Sequence, residues 1–114
     1  MRCDIKSLSV CAAGGCRSAA PAISIYLSDF MDGSSERAAY YRCGPALTNC
    51  DRYAAIVHRT GEFTIFSLPA RSLFAKLGPG NQVTDVAAVG DTVFVSRGLC
   101  EHAAPPPASE LRSR

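Results

Sequence analysis

The chain has 114 residues, 47% of them apolar, and a net charge of +2 from 12 basic and 10 acidic side chains. That length is one domain with one modest core. The near-balance of charge excludes an electrostatic grip on nucleic acid or an anionic membrane, and no apolar run approaches the roughly 18–20 residues of a membrane span.

Residues 3–10 read as a weak strand. They are followed by VCAAGGC, in which Cys11 and Cys16 bracket two alanines and two glycines. Residues 22–30, AISIYLSDF, alternate with period two. Ile23, Ile25 and Leu27 share one face, and Ser24, Tyr26 and Ser28 the other. MDGSSE at 31–36 reads as a loop, and residues 37–43 as a second weak strand.

YYRCGPALTNCDRY at 40–53 places Cys43 and Cys50 around a segment with Gly44, Pro45 and Asn49. These are turn formers, and the spacing is that of a staple across a loop joining two strands. The next run, YAAIVHRTGEFTIFSL, predicts a hairpin with Thr60-Gly61 as its turn. Arg59 is then expected opposite Glu62, His58 opposite Phe63 and Ile56 opposite Ile65. The alternate face sets Ala55 against Phe66 and Val57 against Thr64.

SLFAKL at 72–77 puts Leu73, Ala75 and Leu77 on one face, and GPGN at 78–81 is a turn by composition. VTDVAAVGDTVFVSR at 83–97 is the strongest local signal, two β-branched runs joined by Gly90-Asp91. That turn pairs Val89 with Thr92, Ala88 with Val93 and Val86 with Val95. The face with Val86, Ala88, Val93 and Val95 is the more apolar, and is expected to turn inward. Asp85, Ala87, Phe94 and Ser96 are expected outward.

About eight short antiparallel strands with turn signals every eight to twelve residues predict an all-β fold. Short connections favour an up-and-down meander, forming a small barrel or a sandwich. Residues 1–102 make the single β domain. Residues 103–114, Pro-rich and without core residues, are expected to be a disordered tail.

Six cysteines, Cys3, Cys11, Cys16, Cys43, Cys50 and Cys100, allow fifteen connectivities. The preferred set is 11–16, 43–50 and 3–100, the last because the first and last strands of a closed meander are neighbours. Such stapling belongs to oxidising compartments. No signal peptide is visible ahead of the expected folded sequence, so the alternatives are a cytosolic chain or one whose leader has been removed. The cysteines favour the second, a periplasmic or secreted protein.

The chemistry that the residues do not support is extensive. C-x4-C and C-x6-C with no nearby histidine disfavour zinc. The chain has no Cys-x-x-Cys for redox work and no G-x-S-x-G elbow, and the glycines of AAGGCRS do not form a phosphate loop. His58 reads as a strand residue and His102 as solvated. Asp29, Asp32 and Glu36 read as loop carboxylates. The reading is a protein that is not an enzyme and carries no cofactor or metal. Its partner is an unknown protein or small molecule. The candidate binding group is Tyr40, Tyr41, Arg42, Arg52 and Tyr53, aromatic and arginine side chains gathered at a constrained loop. Local ion pairing, with Asp51 included, is the alternative reading of the same residues. Three functions remain open: a binding protein for a small ligand or an envelope protein, a secreted inhibitor or effector acting through the 43–50 loop, and a structural accessory subunit.

The succession VCAAGGC, YYRCGPALTNCDRY, TGEFTIF, LFAKL and TDVAAVGDTVFVSRGLC resembles in layout a group of small Cys-containing proteins of alphaproteobacteria. The resemblance spans residues 3–100. It implies an exported, disulfide-bonded β protein and implies no activity. Members normally carry a cleaved leader, and this chain departs from them there.

Overall fold

A computed structural model describes residues 1–28 and 36–112. Asp29, Asp32 and most of the MDGSSE loop lie outside the described residues. The alternating segments form nine strands: β1 (Arg2–Ala12), β2 (Gly15–Ala19), β3 (Ser24–Leu27), β4 (Arg37–Gly44), β5 (Thr48–Thr60), β6 (Phe63–Leu68), β7 (Leu73–Leu77), β8 (Gln82–Val89) and β9 (Thr92–Glu101). All pair antiparallel. β1 joins β9, so eight strands close into a barrel, and β2 is an additional strand on β1. Along its other edge β1 is shared, its first residues pairing with β3 and its last with β2.

Two glycine turns set the frame. Gly90 has φ +61°, and the pairs Val89–Thr92, Ala88–Val93 and Val86–Val95 form as the sequence predicts. The other hairpin departs from expectation. Its turn is Gly61-Glu62, with Thr60 paired to Phe63, His58 to Ile65 and Val57 to Phe66. A turn centred on Thr60-Gly61 would ask a β-branched residue for positive φ, whereas the observed one places Gly61, at φ +59°, in the first central position. The shift moves each partner by two residues. It preserves the faces but removes the expected Arg59–Glu62 and Ile56–Ile65 pairs.

The inward face of the β8–β9 hairpin is also the reverse of the sequence expectation. Asp85 and Ser96 are buried, Ala87 and Phe94 point into the barrel, and Val86, Ala88, Val93 and Val95 lie outside. Cys100 fixes the phase. It shares a face with Cys3, which lies in the barrel core, and period two then brings Ser96 and Phe94 to the same side, with Asp85 and Ala87 opposite on β8. Valine content could not outweigh that constraint. The outer valines continue a cross-strand row from Ile56 through Ser67 and Phe74 to Val86 and Val95.

The barrel seam requires a glycine. A Cβ on Gly98 would lie 2.0 Å from the Asp4 carbonyl oxygen, at the bulge between Ile5 and Ser7 where β1 and β9 close the sheet. Below the seam the interior is filled by side chains including Leu27, Tyr40, Phe66, Leu68 and Val83.

A second, smaller core lies outside the barrel. Tyr26, Cys43, Leu47 and Cys50 pack with Tyr41 and Leu111. The 45–47 turn is held by Ser24, whose Oγ donates to the Gly44 carbonyl at 2.6 Å and accepts from the Leu47 N–H at 2.9 Å. Residues 103–112, the described part of the expected tail, lie against this patch. Tyr26 donates its hydroxyl proton to the Ala103 carbonyl, Pro106 is buried, and the Asn49 N–H donates to Glu110 Oε1. Leu111 makes a parallel bridge to Cys50, and the Arg112 N–H donates to the Cys50 carbonyl at 2.9 Å. β5 extends beyond β6 here, and its unpaired edge gives the tail backbone partners.

Candidate functional site

A cavity of about 290 Å³ opens at one end of the barrel, against the middle of β1, the end of β8 and the start of β9. Its walls come from Ile5 and Leu8 on β1, Ala87 and Val89 on β8, and Phe94 on β9. Pro21, Ala22 and Ile23 close the side between β2 and β3. The space exists for two reasons. Inward positions at this level carry small side chains, Ala87 and Ser96. The chain between β2 and β3 also leaves the sheet, so no strand pairs with the middle of β1 on that edge.

Two polar side chains reach this apolar space, Arg42 and Ser96. Arg42 is bound to Asp85 across the barrel, its Nη2 donating to Oδ1 at 3.1 Å, while Tyr40 donates its hydroxyl proton to Oδ2. Asp85 is wholly buried, and burial pushes its carboxyl up to about 7. Burial likewise pulls the Arg42 guanidinium below its ordinary value, with Tyr53 acting in the opposite direction. The Arg42 Nε is buried and has no hydrogen-bond partner among the described residues. The floor of the cavity thus holds a cation with unused donor capacity beside a carboxyl whose burial favours its neutral form.

The sheet divides the candidate binding group predicted from sequence. Tyr40, Arg42 and Tyr53 face the barrel interior, and the exposed Arg71 of the 69–71 turn lies 5.3 Å over the Tyr53 ring. Tyr41 and Arg52 face outward. Arg52 Nε donates to the Tyr41 hydroxyl at 3.2 Å, and the Tyr41 ring meets Tyr26 edge-on at 5.7 Å. Neighbours along a strand point to opposite faces, so a cluster dense in sequence becomes two sites.

Sequence reasoning missed Asp85 and Ser96 altogether as site residues. The available signal was an aspartate in the middle of VTDVAAV, where a strand disfavours it unless something holds it.

All six cysteines are paired, Cys3 with Cys100, Cys11 with Cys16 and Cys43 with Cys50, as preferred from sequence. Among the described residues, no three His, Cys, Asp or Glu side chains gather as metal ligands. No helix there is long and apolar enough to cross a membrane. His58 lies on the outer face opposite Ile65 rather than Phe63. No family model, curated protein or solved structure matches this chain.

Proposed function

We propose that the chain is a small non-catalytic binding protein of an exported, oxidising compartment, and that it takes one small, largely apolar ligand into the cavity above Arg42. The observation carrying this reading is the cavity itself, lined mostly by apolar side chains, open to solvent beside the exposed Pro21, Ala22 and Val89, with two polar groups at its base. At roughly 30 Å³ for each water-sized group, it suits a ligand of about ten non-hydrogen atoms. Three disulfides are compatible with the oxidising compartment, as is the layout resemblance to exported proteins.

Inhibition through the 43–50 loop has less support. Cys43, Leu47 and Cys50 are buried and the tail lies against one side of the loop, which leaves Pro45, Ala46 and Asn49 as its exposed residues, none of them aromatic or charged.

The test is methyl NMR of the full chain titrated with octanamide and octanoate, ten-atom probes of matched shape. Cavity binding shifts the Ile5, Leu8, Ile23 and Val89 methyl signals and leaves Ile56 and Val95 on the outer face unmoved. Signals that move only on the outer face, or not at all, refute the reading. Tyr41→Ala with Arg52→Ala leaves the titration unchanged if the ligand enters the barrel. Loss of binding in that variant would return the site to the outer face.

A further inference from the structure

We infer that the ligand is a small monocarboxylic acid, its carboxylate held by the Arg42 guanidinium and its apolar chain against Leu8, Ile23, Val89 and Phe94. The inference rests on the cavity reading above and names the class of molecule that would fill it.

Arg42 is the charged side chain among the residues lining the cavity. Guanidinium carries five N–H donors in a planar fork, which matches a carboxylate through two parallel hydrogen bonds. Asp85 takes a donor from Nη2, and the buried Nε–H has no acceptor among the described residues. A neutral acceptor could satisfy that one donor but would add no charge interaction with the guanidinium. A cationic ligand would repel it. A carboxylate supplies both the charge and the acceptors.

The second carboxyl is accommodated without net charge. In the empty site, the Arg42 guanidinium and the Asp85 carboxylate cancel, and Asp51 is paired with Arg112 at 3.8 Å. When the ligand carboxylate arrives, Asp85 takes one proton from solvent and becomes the neutral acid, and the guanidinium and ligand then cancel. Asp85 is suited to this because it is buried, with Ala75 and Ser96 opposite it on the flanking strands and Tyr40 and Arg42 reaching it from β4. Asp51 and Tyr53 on β5 are the other titratable groups beside Arg42, Asp51 directly across the ladder and Tyr53 next along the inner face. Binding of the acid is therefore coupled to uptake of about one proton at pH 8.

Calorimetric titration of the full chain with octanoate and octanamide tests this without any variant. Octanoate is expected to bind about 10–100-fold more tightly, the span of hydrogen bonds to a charged partner. Titration at pH 8 in buffers of different ionisation enthalpy is expected to show proton uptake for octanoate and none for octanamide. Octanamide binding as well as octanoate overturns the carboxylate assignment while leaving the cavity reading intact. Binding of neither probe overturns both. Arg42→Met is expected to bring the two affinities within about twofold. If that variant does not fold, Asp85→Asn serves instead. It removes the competing carboxyl, so octanoate should bind several-fold more tightly with its proton uptake abolished. Proton uptake that persists in Asp85→Asn overturns the role given to Asp85.

Discussion

Arg42 Nη2 lies 3.1 Å from Asp85 Oδ1, and this contact joins β4 to β8 through the inside of the barrel. The guanidinium keeps some exposure, its side chain 26% accessible, whereas the carboxylate has none. The two partners are therefore unequal. Removing the arginine strands a buried charge. Removing the carboxylate leaves a cation that still reaches the cavity opening.

That inequality orders three variants at pH 8. Arg42→Met is expected to cost about 3–5 kcal/mol, because Asp85 stays buried without its cation. Asp85→Asn is expected to cost less, about 1–3 kcal/mol, since the amide still accepts from Tyr40. The double variant Arg42→Met, Asp85→Leu is expected to cost less than Arg42→Met alone, about 1–3 kcal/mol, because no buried charge remains and the Tyr40 hydroxyl has only lost its acceptor. Urea unfolding midpoints check the order. Equal losses for the two single variants would show that the pair is effectively solvated.

The pH dependence follows from Asp85. Its folded carboxyl titrates at about 7, above the ordinary aspartate value, because burial disfavours the charged form. Between those values the folded chain holds a proton that the unfolded chain has released. Stability therefore rises as pH falls from about 8 towards about 4, and is lost as pH rises through about 7. At roughly 1.4 kcal/mol per pH unit, the contribution is bounded at about 4 kcal/mol. Denaturation across this range, wild type against Asp85→Asn, isolates the effect. Parallel curves for the two proteins would contradict it.

The disulfides differ in what they hold. Cys3–Cys100 closes a separation of 97 residues and sits in the barrel core, whereas Cys11–Cys16 spans 5. In the chain-entropy model, removal of the first pair by alanine is expected to cost about 4–5 kcal/mol and of the second about 2 kcal/mol. Guanidinium unfolding of the two double variants measures both. A larger loss from the 11–16 pair would show that closure of β1 on β9 does not depend on the bridge.

The tail is expected to contribute to stability. Truncation after His102 uncovers Tyr26, Leu47 and the Cys43–Cys50 pair and removes Leu111 from the outer core. A loss of about 1–3 kcal/mol, or about 5–15 °C in thermal midpoint, is expected. The same truncation should speed reduction of Cys43–Cys50 by dithiothreitol. An unchanged midpoint and reduction rate would mean that the docked tail contributes nothing in solution.

Much of the architecture is already determined by local sequence. Period-two alternation places Ile25 and Leu27, and Leu73 and Ala75, on buried faces. Gly90 places the last hairpin in register, and closely spaced cysteines define two short loops. These are properties of neighbours along the chain. What depends on distant partners was decided only by the tertiary structure. Which face of the last hairpin turns inward follows from Cys100 meeting Cys3, 97 residues away. Asp85 is tolerated inside because Tyr40 and Arg42 arrive from another strand. The tail lies against β5 because β5 outruns β6 and leaves an edge for Leu111. The cavity is likewise a tertiary product. It is space bounded by β1, residues 21–23, Arg42 of β4, β8 and β9, and no local pattern encodes where side chains fail to fill a barrel.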